Sequence, residues 1–226
     1  MNTVKPESIA LFCLTPGGVR LAKRLAAMLP LTCYTSEALQ EEGFIPFNGG
    51  FASAAREAFS SFSALIFIGA TGIAVRVLAP LVNDKLSDPA VVVIDERARH
   101  VISLLSGHAG GANALTRYLA GMLDADPVIT TATDVNGLFA VDVWARERGM
   151  AITDRVLAKE VSAALLEGRP VGFASDFGHP CPEGLTAGPA ELGVWITDRT
   201  GEGPFPRTLR LVPRSLILGI GCRRGT

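Results

Sequence analysis

The sequence predicts an α/β protein: a three-layer, mainly parallel sheet followed by a second, smaller α/β region. Three observations carry the prediction. Apolar runs of strand length recur along the chain, bounded by Gly, Pro, Asp or Thr. Stretches with apolar residues at helical spacing alternate with them, and strands that alternate with helices build parallel sheets covered on both faces. Twenty-four glycines against 7% aromatic residues suit the many tight strand-to-helix turns of such a fold.

The elements follow in order. Ser8–Leu14 is an apolar run stopped by Thr15-Pro16-Gly17-Gly18, hence a buried strand and a turn. Val19, Leu21, Ala22, Leu25, Ala26 and Leu29 then recur at helical spacing, with Arg20, Lys23 and Arg24 outside. Leu31–Thr35 gives a second strand and Phe51–Phe62 a second helix. Ala64–Ile68 is a third buried strand, ending in Gly69-Ala70-Thr71-Gly72. Strands near Val91–Ile94 and Val101–Leu105 follow, with Glu96, Arg97, Arg99 and His100 as a charged hairpin tip between them. Gly107–Leu123 is a long helical stretch and Pro127–Thr131 a further strand.

A second region opens near Val135, which divides the chain into 1–134, 135–214 and a last piece, 215–226. Leu138–Arg148 and Val156–Leu166 read as helices, and Pro170–Ser175, Gly193–Thr197 and Thr208–Val212 as strands. This half shows no clustered chemistry, and His179 falls in a Pro-, Cys- and Gly-rich exposed loop. Leu216–Gly221 is an apolar strand with a Gly-rich turn and no helix behind it. The expectation is a chain that continues into a C-terminal domain, with this segment weakly anchored here.

Composition excludes several classes. With 48% hydrophobic and 19% charged residues the chain has ample material for a core. A formal net charge of −1 provides no global field for nucleic acid or an anionic membrane. No apolar stretch approaches the roughly 20 residues that span a bilayer, and the first apolar run is too short for a signal peptide. The expected compartment is the cytoplasm. Cys13, Cys33, Cys181 and Cys222 form no CxxC pair, which argues against a zinc site and a disulfide framework. No GxSxG elbow or GxxxxGK[ST] phosphate loop is present.

Three loops have the residues for chemistry. Gly69-Ala70-Thr71-Gly72 leads into a helix carrying Arg76, so its backbone N–H groups could meet an anion. The plain alternative is an ordinary strand-to-helix turn with a surface Arg. Asn83-Asp84-Lys85 precedes a strand that ends at Asp95. Asp84 and Lys85 fit either an acid–base pair or a solvated turn, while Asp95 ends an apolar strand at the edge where ligands gather. Ser106-Gly107-His108-Ala109-Gly110-Gly111-Ala112-Asn113 sets one His between glycines at a strand–helix junction. The positive end of the helix favours the neutral, base-competent imidazole there; the alternative is a capping or packing His. Thr131-Ala132-Thr133-Asp134 is a hydroxyl-rich turn, read as capping. Because parallel sheets collect such ends on one edge, loops 69–76, 84–89 and 107–113 are expected to share one cleft.

The run from Gly69 to Asn136 resembles the N-terminal domain of the CbiG family, the cobalt-precorrin-5A hydrolases. The matching pieces are Gly-Ala-Thr-Gly-Ile-Ala-Val-Arg at 69–76, Pro80 with Asp84-Lys85, and Pro89–Val93 with Asp95. Ile102–His108 through Asn113 and Thr131–Asp134 complete the set. Residues from about Val135 to Val212 look like the family's variable middle segment, and Leu218–Thr226 like the opening of its C-terminal domain. The resemblance implies a reaction in anaerobic cobalamin biosynthesis: water opens a δ-lactone on a cobalt-containing tetrapyrrole, and a two-carbon unit leaves as acetaldehyde. The cobalt is carried by the substrate, so no cofactor or protein-bound metal is expected. A non-catalytic tetrapyrrole-binding module is the second reading and a generic nucleotide-binding domain the third. Residue chemistry then suggests roles. His108 would be the base, and Asp84 or Asp95 would orient it or a water. Gly69, Thr71, Gly72, Arg76, Lys85, Ser106, Gly107, Gly110, Gly111 and Asn113 would bind substrate, with the amides of Gly110 and Gly111, or of Gly69 to Gly72, as oxyanion donors.

Overall fold

The computed structural model describes residues 9–84, 87–108 and 110–214. The chain divides after Val135 into two compact units. The first contains β1 (Ile9–Cys13), α1 (Pro16–Ala26), β2 (Thr32–Thr35), β3 (Ile45–Pro46), α2 (Phe51–Ser61) and β4 (Ala64–Ile68). It continues with α3 (Thr71–Leu78), β5 (Ala90–Ile94), β6 (His100–Leu105), α4 (Ala112–Leu123), β7 (Asp126–Val128) and α5 (Ala132–Val135). Its seven strands lie in the order β3-β2-β1-β4-β5-β6-β7.

The layering follows from alternation along the apolar strands. Ile9, Leu11 and Cys13 of β1, Ala64, Ile66 and Ile68 of β4, and Ala90, Val92 and Ile94 of β5 face one core, completed by α1 and α4. Ala10, Phe12, Leu65, Phe67, Val91 and Val93 face the other, covered by α2 and α3. Phe12 stacks between Tyr34 (4.9 Å) and Phe67 (5.1 Å) on that second face. Thr15 caps α1, its hydroxyl accepting from Gly18 N at 3.0 Å, and Pro16 occupies the first helical position, where a missing N–H costs nothing.

Strand direction is the feature that places the site. β1 to β5 are mutually parallel, but β5 and β6 form an antiparallel hairpin, and β7 runs with β6. Asp95 staples the hairpin tip: its carboxylate accepts from the backbone N of Arg97 (2.9 Å), Arg99 (2.9 Å) and His100 (2.6 Å). Burial tends to raise its pKa, but those three N–H donors and nearby His100 outweigh it and hold the carboxyl below its usual range.

Several expected boundaries move, two of them beside the site. The helix expected over Gly107–Leu123 begins only at Ala112, because Ser106 (φ 56°) and Gly111 (φ 93°) are left-handed, which no α-helix accommodates. The strand expected over Pro127–Thr131 is Asp126–Val128, and Ala132–Val135 turns helical instead.

The second unit contains α6 (Val141–Glu147), β8 (Met150–Ile152), α7 (Arg155–Leu166), β9 (Val171–Ser175), β10 (Leu192–Ile196) and β11 (Arg207–Pro213). Its sheet order is β8-β11-β10-β9, with β9, β10 and β11 parallel and β8 reversed. Val161, Ala164, Val171, Val194, Leu209 and Leu211 centre its core. The Phe205 ring lies on the backbone of Gly172 and Gly193, where a Cβ on either would approach it to 2.2 Å. Leu216–Gly221, expected to be weakly anchored, lies outside the described residues.

Candidate active site

The register decides which candidates meet. Ile68 pairs with Ile94, and Ile94 with Val101, at one edge of the first sheet; Leu65 pairs with Val91, and Val91 with Leu105, near the other. Gly69, Thr71 and Gly72 therefore share an edge with Asp95. Ser106 to Asn113 leave β6 at the opposite edge, about 16 Å away over a five-residue strand. Asp84 and Asp88, joined by the Asp88 N–H donating to Asp84 O at 2.8 Å, precede β5 and share the edge with His108. Lys85 lies outside the described residues. Arg76 is exposed on α3, the helix that starts at the Gly69 edge. The expectation of one shared cleft is thus corrected: the hairpin reverses β6, so its carboxyl end points away from that of β4. Asp95 cannot orient His108; it is the hairpin staple.

β7 runs with β6, so the turn that follows it, Thr131–Asp134, arrives beside His108. His108 Nε2 lies 2.6 Å from Asp134 Oδ2 and 3.1 Å from Thr133 Oγ1. Both partners are largely enclosed, at 16% and 14% side-chain exposure. Asn113 knits the group together. Its Nδ2 donates to Thr131 Oγ1 (3.0 Å) and Asp134 Oδ2 (2.9 Å), while its Oδ1 accepts from Ser103 Oγ at 2.6 Å. Arg117 holds the other carboxylate oxygen of Asp134.

Burial tends to raise the Asp134 pKa, but hydrogen bonds and charge from Arg117 and His108 outweigh it and keep the carboxyl below its ordinary value. Asp134 is therefore an acceptor, and the ring must donate Nε2–H to it. In the neutral imidazole Nδ1 is then the basic nitrogen. A buried carboxylate that fixes the tautomer of an imidazole is the arrangement that general-base catalysis requires.

The loop around this pair is tightly built. Ser106 adopts a left-handed conformation rare for a non-glycine residue, and its buried Oγ has no hydrogen-bond partner. A Cβ at Gly110 would come within 2.3 Å of the Ser106 Cβ, and one at Gly107 within 2.7 Å of Asn113 Oδ1. The Gly111 N–H is spent on His108 O at 3.0 Å, which removes it as an oxyanion donor, contrary to expectation. Ala112 N and Asn113 N likewise close on Ser106 O and Gly107 O. Cysteine chemistry has no place here: burial, then the neighbouring Cys13, pushes the Cys33 thiol up to about 12.

Sequence reasoning missed Asp134, Thr133 and Arg117 as site residues, although polar residues crowding the end of β7 were a usable signal. It also missed a cluster in the second unit, where His179 contacts Ser175 and Trp144.

Residues 53–134 match the family model described as cobalamin synthesis G N-terminal, and residues 139–213 the one described as cobalamin biosynthesis central region. The chain is also 61% identical, over its whole length, to the cobalt-precorrin-5A hydrolase of Salmonella typhimurium. The chain belongs to the CbiG family. A second CbiG relative, the cobalt-precorrin-5A hydrolase of Priestia megaterium, is 33% identical over 96% of the chain. The chain covers 69% of the first relative and 65% of the second, and so spans about two thirds of the CbiG proteins it matches. A solved cobalamin biosynthesis protein G homolog from Sulfolobus solfataricus shares the fold. It has a TM-score of 0.55 and 20% identity, over 92% of this chain and 60% of that one. This chain is accordingly an α/β enzyme of cobalamin biosynthesis. Among its described residues no helix is long and apolar enough to cross a membrane.

Proposed function

We propose that the protein opens the δ-lactone of cobalt-precorrin-5A with His108 as the general base. The observation that supports this is the enclosed His108–Asp134 pair, with the carboxylate fixed by Arg117 and Asn113. His108 takes a proton from water as the water oxygen adds to the lactone carbonyl; the ring C–O bond breaks, leaving a carboxylic acid and an alcohol. The alcohol then loses its proton, the adjacent C–C bond breaks, acetaldehyde departs, and the electron pair passes to the macrocycle. The Gly110 amide is the donor for the carbonyl oxyanion. Asp84, at the same sheet edge, is the acid–base candidate for the second step. Cobalt enters with the substrate, and no resident cofactor takes part. We place the enzyme in the cytoplasm, consistent with the unpaired thiols of Cys13, Cys33 and Cys181.

The test is acetaldehyde release. His108→Asn should retain hydrogen bonding but lose proton transfer, lowering kcat by about 10²–10⁴-fold. Near-parental turnover would remove His108 from the mechanism.

A further inference from the structure

The second unit has its own carboxyl edge. β9, β10 and β11 are parallel, so Ser175 to His179 emerge there, and Arg148 is brought to the same edge by Arg214 N, which donates to Gly149 O at 3.2 Å. Ser175 Oγ accepts from the amides of Phe177 (3.1 Å) and His179 (3.2 Å), so its own proton goes to His179 Nδ1, 3.1 Å away. The neutral His179 ring therefore carries its hydrogen on Nε2. The ring stands at 66° to Trp144, centroids 5.7 Å apart, and the Arg148 guanidinium lies 4.1 Å from the Trp144 ring centre. Between Ser175 and His179, Phe177 is 48% exposed.

We infer that this edge is a carboxylate subsite, with Arg148 and His179 Nε2–H as donors and Phe177 as an apolar contact for the flat body that carries the carboxylate. The inference rests on the reading that the substrate is a polycarboxylated tetrapyrrole. Stacking on Trp144 orders the guanidinium from its face and leaves its in-plane N–H fork directed at an acceptor. Glu147, the acid nearest Arg148, stands 3.7 Å away and is half exposed, too loose to saturate that fork. Asp176, on the same edge, is engaged elsewhere. It accepts from Thr197 Oγ1 (2.6 Å) and Trp195 Nε1 (3.3 Å), with Arg199 Nε at 3.4 Å, so it does not compete for Arg148 or His179. A packing role explains Trp144 but neither the fixed tautomer of His179 nor the exposed Phe177.

One readout tests it in the purified protein: binding of uroporphyrin, a polycarboxylated tetrapyrrole, followed by its visible absorbance. Arg148→Ala should raise Kd about tenfold, since a charge-assisted contact is lost. Arg148→Lys should recover only part of this, because an ammonium lacks the fork. Phe177→Ala, whose exposed ring supports no core, should raise Kd about threefold and guards against misfolding of the Arg148 variant. A Kd within twofold of the parent for both Arg148→Ala and Phe177→Ala would overturn the inference, as would failure of the parent to bind the porphyrin. Either result leaves the His108 reading standing, because that is judged by kcat in His108→Asn.

Discussion

At the scale of residues, the Asp134 carboxylate is the hinge of the site. It takes Nε2–H of His108 on one oxygen and Arg117 on the other, so its removal frees the imidazole to turn and to change tautomer. Asp134→Asn should lower kcat by about 10²-fold or more with little change in KM, as measured by acetaldehyde release. The same carboxylate makes a pH statement. Its folded pKa lies below the unfolded value of about 3.9, so its contribution to stability is complete above that value and disappears as pH falls through the folded pKa. Denaturation midpoints followed from neutral pH into acid should therefore fall less steeply below about pH 4 in Asp134→Asn than in the parent. His108 stood out in the sequence as a histidine between glycines at a strand–helix junction, a setting that fits a base and a capping or packing group alike. Asp134 did not, because a Thr-Ala-Thr-Asp turn satisfies a capping explanation until the direction of β7 is known.

At the scale of elements, the β5–β6 hairpin governs the outcome. Its tip was legible from four charged residues at 96–100, and the structure places a hairpin there. The consequence was harder to draw: one reversal moves everything downstream to the other edge of the sheet. Asp95 looked like a group to orient His108 or a water because it ends an apolar strand, the same place at which backbone N–H groups converge and make it a good staple. Asp95→Ala should cost about 1–3 kcal/mol of stability, read from denaturant unfolding, while kcat of the folded protein stays within about threefold. A collapse of kcat without loss of stability would return Asp95 to the chemistry. The two-residue β3 and three-residue β8 were illegible, since neither is long enough to show a period of two.

At the scale of the whole molecule, α/β class, layers and most elements were readable because apolar strands buried on both faces leave continuous runs in the sequence. Strand order was not, since it is set by long-range pairing. The resulting geometry is testable by pairing substitutions. His108→Asn and Thr71→Ala lie at opposite sheet edges, so their effects on the activation free energy should add within about 0.5 kcal/mol. His108→Asn and Asp134→Asn act on one hydrogen bond and should be far from additive. Strong coupling in the first pair would mean that both edges serve one substrate. The seat of Phe205 has a consequence of a different kind. Its ring fills the space that side chains at 172 and 193 would need, on neighbouring strands. These three positions are therefore not able to drift singly during descent: a lineage that gains an alanine at 172 or 193 must first, or at once, shrink residue 205. Aligned relatives should show the aromatic ring and the two glycines inherited or lost as one unit.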